Sequence, residues 1–183
     1  MDRADQILAE IERLADTSYI PIVGRERGRI LVDIVRRIKP RRVLEVGALV
    51  GYSTILMARE LGSEAEIVTI EIDEDEAELA KENIRRAEVK PKIEVLIGDA
   101  LGIIPDLGGK FDLVFLDAAK NECLDYLRLL EGSLHKGSVV LADNAGVFAH
   151  SMRRYLDYVR SSGKYESRFV PVDGDGIEVS TRL

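Results

Sequence analysis

The sequence predicts an α/β fold, a mostly parallel sheet with helices on both faces, and three observations lead there. From residue 42 onward, apolar strand-like runs alternate with segments of helical period. Strand–helix–strand units of this kind use right-handed crossovers, which make the joined strands parallel. The tail then breaks the rhythm: a helix is followed by two strand-like runs around Asp173-Gly174-Asp175-Gly176, a hairpin that adds an antiparallel strand.

Ile7, Leu8, Ile11, Leu14 and Ala15 recur at helical spacing and predict an amphipathic helix over about residues 3–16. Thr17 to Gly24, with Pro21, reads as a loop. Ile30, Leu31, Ile34, Val35 and Ile38 form the apolar side of a second helix, which Pro40 stops. Strands follow at Arg42–Val46, Glu66–Ile72, Lys92–Ile97, Phe111–Leu116 and Ser138–Ala142, with helices near 52–62, 74–87, 100–105 and 120–134. A helix at about 148–162 leads into Tyr165–Val170 and Ile177–Arg182. With no repeat, low-complexity stretch or linker, residues 1–183 read as one domain. In it, residues 1–40 are helices covering the site or a dimer interface, and residues 41–183 are the core.

At 183 residues the chain can bury one full core and is too short for two ordinary domains. Hydrophobic residues at 46% and charged residues at 32% exclude a disordered or fibrous protein. No apolar run approaches the roughly 20 residues of a membrane span, so no membrane partner is expected. Met1-Asp2-Arg3-Ala4-Asp5 opens an amphipathic pattern in place of a signal-peptide core, and the single cysteine, Cys123, excludes an internal disulfide; both suit a cytoplasmic protein. The net charge of −7 excludes a uniformly basic nucleic-acid binder, yet its distribution is uneven. Residues 24–42 hold Arg25, Arg27, Arg29, Arg36, Arg37, Lys39, Arg41 and Arg42 against Glu26 and Asp33, which gives +6 there and −13 elsewhere. That segment reads as a solvated helix face paired with nearby acids, or else as a footprint for RNA or phosphate.

In an open parallel sheet, ligands gather beyond the carboxyl ends of the strands, where the strand order reverses. The first strand ends in Glu45-Val46-Gly47-Ala48-Leu49-Val50-Gly51-Tyr52-Ser53, a glycine turn into a helix whose N-terminus can face a ligand. Leu49 and Tyr52 stand where a dinucleotide fingerprint places its second and third glycines, which speaks against NAD. The second strand ends in Glu71, suited to accept hydrogen bonds from both hydroxyls of a ribose, while Asp73 suits a helix cap. Asp99, after the third strand, either meets an adenine edge beside Ala100 or caps the next helix.

The fourth strand ends in Asp117-Ala118-Ala119-Lys120 and the fifth in Asp143-Asn144. Two carboxylates and an amide without His or Cys make a hard, magnesium-type site, and buried like charges repel without a cation between them. The alternative is that each acid caps a helix independently. Lys120 opposes the macrodipole of the helix it begins; beside a divalent cation its amine suits a general base, and otherwise it forms a salt bridge to Asp117. Cys123, near Leu124, Leu127 and Leu130, reads as helix core. His150 is either a substrate contact or a solvated helix-start residue, and His135 is structural.

With these residues the chain resembles the metal-dependent, catechol O-methyltransferase-like branch of the class I S-adenosylmethionine methyltransferases. The resemblance runs from about Pro21 to the C-terminus and rests on three blocks, Val43–Ser53 (VLEVGALVGYS), Phe115–Lys120 (FLDAAK) and Leu141–Asn144 (LADN). It implies a Rossmann-like fold with a seven-stranded, mostly parallel sheet and an antiparallel C-terminal strand. It also implies S-adenosylmethionine as cofactor, Mg2+ or another divalent cation, and a homodimer. Val23 would contact the methionine end of the cofactor, and Glu45, Gly47 and Ser53 would line its amino-acid portion. Glu71 would hold the ribose, and Asp99 and Ala100 would border the adenine. Asp117, also beside the cofactor, would join Asp143 and Asn144 in binding the ion, and Lys120 would be the base.

The activity implied is O-methylation of a small-molecule hydroxyl with adjacent oxygens, catechol-like or a vicinal diol. Phe169 stands where catechol enzymes carry an acid for the second hydroxyl, and Cys123 where relatives often carry tyrosine. The Asp-Ala-Ala-Lys spelling is similar to that of bacterial relatives that methylate 5-hydroxyuridine at the tRNA wobble position, which makes tRNA the alternative acceptor. The Arg-rich segment would then bind the RNA backbone, although no aromatic residues interleave with its arginines to stack bases. A cofactor-binding protein without catalysis is a third reading, which Lys120 beside a complete set of ion ligands opposes.

Overall fold

The computed structural model describes residues 2–183. Two helices, α1 (Arg3–Thr17) and α2 (Gly24–Ile38), precede β1 (Arg42–Val46), α3 (Tyr52–Ala58), β2 (Glu66–Glu71), α4 (Glu74–Ala87) and β3 (Lys92–Ile97). The chain continues through α5 (Ala100–Ile103), β4 (Phe111–Leu116), α6 (Cys123–Leu130) and β5 (Leu134–Ala142), and ends in α7 (Arg153–Ser161), β6 (Tyr165–Val172) and β7 (Asp175–Arg182). Seven strands make one sheet in the order β3-β2-β1-β4-β5-β7-β6. β1 to β5 pair in parallel, and β7 runs against both β5 and β6. The order reverses between β1 and β4, which leaves a crevice above their carboxyl ends.

Side-chain alternation along each central strand builds two cores. Val43, Ile67, Leu113, Phe115, Val139 and Leu141 point to the face that α1, α2 and α3 cover with Ile7, Leu31, Val35 and Ile55. Leu44, Val46, Val68, Ile70, Val114, Leu116 and Val140 point to the opposite face, against Leu124, Leu127, Tyr155 and Val159 of α6 and α7. Both faces of the parallel strands are therefore apolar, as a buried parallel sheet requires. Among the described residues, no helix is long and apolar enough to cross a membrane.

Several boundaries differ from the sequence expectation, each for a local reason. α3 ends at Ala58 because Glu60 and Leu61 turn back three residues, onto the carbonyls of Met57 and Ala58. β5 starts at Leu134, earlier than Ser138, because Phe111 pairs with Leu134 before an irregularity lets Leu113 meet Val139. Residues 145–152 form successive turns, through bonds such as Phe148 N to Asn144 O, so α7 begins only at Arg153. Tight 3₁₀ turns at Lys120–Glu122 and Glu131–Ser133 flank a shorter α6. The terminal hairpin turns on Asp173 and Gly174 alone, both with positive φ (46° and 77°), as a two-residue type I′ turn demands. Asp175 is consequently a strand residue, and it reaches the site described next.

Candidate active site

The chain segments leaving β1, β3, β4 and β5 each donate an amide to the neighbouring strand, which levels the strand tips. Gly47 N bonds Ile70 O (2.9 Å), Gly98 N bonds Glu71 O (2.8 Å), Asp117 N bonds Val46 O (2.9 Å) and Asp143 N bonds Leu116 O (3.0 Å). By the alternation above, Glu45, Glu71, Asp117 and Asp143 all share the face of Val43, Ile67, Phe115 and Leu141. Four acids thus collect on the side of the sheet over which α2 begins. A cavity of about 390 Å³ opens there, and Val23, Gly47, Ser53, Glu71, Asp99, Ala100 and Asp117 are on its wall. Its size is that of a small-molecule site.

Glu71 organises the turn after β1. Its Oε2 accepts from Leu49 N at 2.7 Å and its Oε1 from Asp73 N at 3.1 Å, fixing Leu49 in a left-handed conformation (φ 50°). Gly47 has φ 100°, and a Cβ there would run into the Asp117 carbonyl, so only glycine lets β1 and β4 release their chains so close together. Asp99 caps α5 through Leu101 N (2.9 Å), the second of the two roles the sequence left open, and it also lines the cavity. Asp73 caps α4 through Glu76 N (3.0 Å).

Glu45 differs from its sequence expectation. It is fully buried, stands behind the cavity wall, and reaches the cavity only through Ser53. Ser53 Oγ (2.5 Å), Thr69 Oγ1 (2.6 Å) and Thr54 Oγ1 all donate to its carboxylate, leaving little of it to offer a cofactor. Burial pushes its carboxyl up to about 7 against the pull of these three hydroxyls.

At the β4 and β5 tips, Leu116 is in register with Ala142, so Asp117 and Asp143 follow as neighbours on strands about 4.8 Å apart. Lys120 Nζ donates to Asp117 Oδ1 at 2.7 Å, the salt bridge named above as the alternative to a base; the same lysine remains within reach of the acids. Asp143 is 1% exposed, and its Oδ1 has no hydrogen-bond partner. Burial and the facing Asp117 charge push the Asp143 carboxyl up, while Arg27 and Lys120 pull it down. Asn144, at φ 59°, gives its Nδ2 to Asp175 Oδ2 (2.8 Å), which leaves the amide oxygen for another partner. Among the described residues, no cluster of three or more His, Cys, Asp or Glu is placed to hold a metal. The available donor set is two carboxylates and one amide oxygen, and the orphaned, buried Asp143 Oδ1 suits a hard dication.

Two side chains in contact with these residues, Arg27 and Asp175, were not singled out by the sequence reading as site residues. Arg27 Nη1 lies 3.1 Å from both Asp143 Oδ2 and Asp175 Oδ2. Asp175 Oδ1 also accepts from Gly146 N (3.1 Å) and Val147 N (2.9 Å), anchoring the segment after Asn144. The signal for Arg27 was present, since it falls one turn before Leu31 on the core-facing stripe of α2. Tyr126 donates to Glu122 at 2.5 Å, and both line the cavity wall. The Arg-rich segment is largely spent on acids: Arg25 pairs with Glu12, Arg29 with Glu26, Arg36 with Glu60 and Arg42 with Glu66. Cys123 is buried in the core, where burial pushes its thiol up to about 11, and His135 bonds Asp112 at 2.8 Å. His150 is exposed in the turns before α7.

Comparison with known proteins agrees with this architecture. Residues 2–154 match the family model described as O-methyltransferase. A catechol O-methyltransferase of Mycobacterium tuberculosis is 38% identical over 154 residues, covering 80% of this chain and 70% of its own. Catechol O-methyltransferase B of Danio rerio is 40% identical over 152 residues, covering 79% of this chain and 57% of its own. The crystal structure of the O-methyltransferase TomG from Streptomyces achromogenes, in complex with SAM, superposes with a TM-score of 0.87 at 27% identity, covering 100% of this chain and 91% of that one. The chain belongs to the O-methyltransferase family, among its catechol O-methyltransferase-like members.

Proposed function

We propose that the protein is an S-adenosylmethionine- and divalent-cation-dependent O-methyltransferase whose acceptor is a small molecule with adjacent oxygens. The observation that carries this reading is the pairing of the strand-tip cavity with Asp143 Oδ1, a buried carboxylate oxygen with no partner beside Asp117. The SAM complex of TomG and the catechol names of the relatives support it. S-adenosylmethionine, when bound, supplies an electrophilic methyl group on its sulfonium. Glu71 would accept from the ribose hydroxyls, Asp99 and Ala100 would border the adenine, and Val23, Gly47 and Ser53 would face the methionine portion. Asp117, Asp143 and Asn144 would hold the dication, which supplies a template and Lewis acidity for adjacent oxygens. Lys120 Nζ, once a neutral amine, would take the proton from the acceptor hydroxyl, leaving the oxygen free to attack the methyl carbon with the cofactor's sulfur as the leaving group. Phe169, exposed on β6 with its ring close to Gly176, is not an acid, so the second acceptor oxygen would gain no carboxylate from that position.

Methyl transfer from labelled cofactor to a panel of catechols and vicinal diols tests the reading. Turnover should require Mg2+ and stop in chelator. Asp143→Ala should abolish cation-dependent turnover with the fold intact, and Lys120→Met should lower kcat by about 10²–10⁴-fold. An Asp143→Ala enzyme that keeps the wild-type rate in chelator overturns it.

A further inference from the structure

Arg27 stands beside the proposed cation ligands but is fastened elsewhere. Its Nη1 donates to Asp175 Oδ2 and its Nε to the Val23 carbonyl, each at 3.1 Å. Toward Asp143 it makes a charge contact, 3.1 Å to Oδ2, without the alignment of a hydrogen bond. Asp175 is itself held by Asn144, Gly146 and Val147, so the guanidinium is fixed from behind by a braced carboxylate. Asp143 faces this fixed positive charge while its Oδ1 has no partner. An arginine tied to α2 and β7 in this way has no reason to leave when a cation takes up Asp143.

We propose that Arg27 is an internal counter-ion of the dication site, a fixed charge that neutralises Asp143 in the metal-free protein and opposes the dication when it binds. The proposal rests on reading Asp117, Asp143 and Asn144 as cation ligands. A carboxylate shared between two cations holds each less strongly, and like charges repel sharply where water is scarce. By linkage, a group that stabilises the metal-free state more than the metal-bound state weakens metal binding. Removing the charge therefore has two linked effects: a less stable metal-free protein and tighter cation binding. If Arg27 merely aligned its neighbours, removing it would loosen the ligands and weaken binding, the opposite sign.

Calorimetric titration of Mn2+ into cofactor-free protein, with thermal melts in chelator and in Mn2+, separates the two. Arg27→Met and Arg27→Gln should bind Mn2+ about tenfold more tightly than wild type. Both should melt lower in chelator, with the gap closing in Mn2+, and Arg27→Lys should behave like wild type. Unchanged or weaker binding in the two neutral variants overturns the proposal. If Arg27→Met does not fold in chelator, Mn2+ should restore it, and failure of that rescue counts against the proposal. Wild-type protein that binds no Mn2+, or Asp143→Ala that binds as well as wild type, refutes the cation site itself.

Discussion

Glu45 shows how much one buried side chain can hold in place. Its carboxylate gathers Ser53 and Thr54 at the start of α3 and Thr69 on β2, so the glycine turn between β1 and α3 is clamped from below. The cost is a charge without water. Because burial raises its folded value to about 7 from an ordinary 4.5, the native state binds the proton more tightly than the unfolded chain does. Stability from this group is complete below about pH 4.5 and is lost as pH rises through 7, an effect of about 3 kcal/mol at most. Glu45→Gln keeps the shape and removes the charge, so its stability relative to wild type should grow between pH 5 and pH 8. Urea unfolding at both pH values measures this, and parallel profiles for the two proteins would contradict it. The sequence showed that an acid sits at this strand tip. It did not show the three hydroxyls, because their convergence depends on how α3 and β2 pack.

Among the elements, the C-terminal pair α7 and β7 is locked by one charge pair. Glu178 is fully buried on β7 and receives Arg160 Nε (2.8 Å) and Nη2 (2.6 Å) from α7, with Ser167 of β6 donating at 2.7 Å. Arg160→Ala would leave a buried carboxylate with a single hydroxyl partner. Removal of one member of a buried pair costs about 3–5 kcal/mol, and the half-exposed arginine brings the expected loss toward about 2 kcal/mol. Urea denaturation should register that loss, and adding Glu178→Gln to Arg160→Ala should recover most of it. The order and type of these elements were legible from apolar periodicity alone, because the alternation of strand and helix periods is strong from Arg42 to Ala142. Their ends were less so. α7 starts late because residues 145–152 make turns on Asn144 and Gly146, and Asp175 became a strand residue through a two-residue turn. That shift decides whether Asp175 reads as a loop acid or as the brace behind Arg27 and Asn144. The same is true of Arg27, which looks like any other member of a basic run until its position on α2 is known.

At the scale of the whole molecule, the sheet divides the proposed site into two ends. Glu71 ends β2 and Asp99 and Ala100 follow β3 on one side of the reversal, while Asp143 and Asn144 follow β5 on the other, with the Asp117 tip beside β1 between them. The cofactor end therefore rests on one half of the sheet and the cation end on the other, and the two should respond separately to substitution. S-adenosylhomocysteine at a hundred times its Kd should stabilise the fold by about 2.7 kcal/mol. In a chain of this length that raises Tm by about 5–10 °C. Glu71→Ala should remove most of the shift, because it takes away the proposed ribose acceptor and releases the Leu49 amide that shapes the turn. Asp143→Ala should keep the shift, since its carboxylate lies off the cavity wall and contributes to the cation end. Thermal melts of the three proteins with and without S-adenosylhomocysteine decide the matter. Equal loss of the shift in both variants would mean that the two ends are one cooperative unit, and a division of labour between the halves of the sheet would then be wrong.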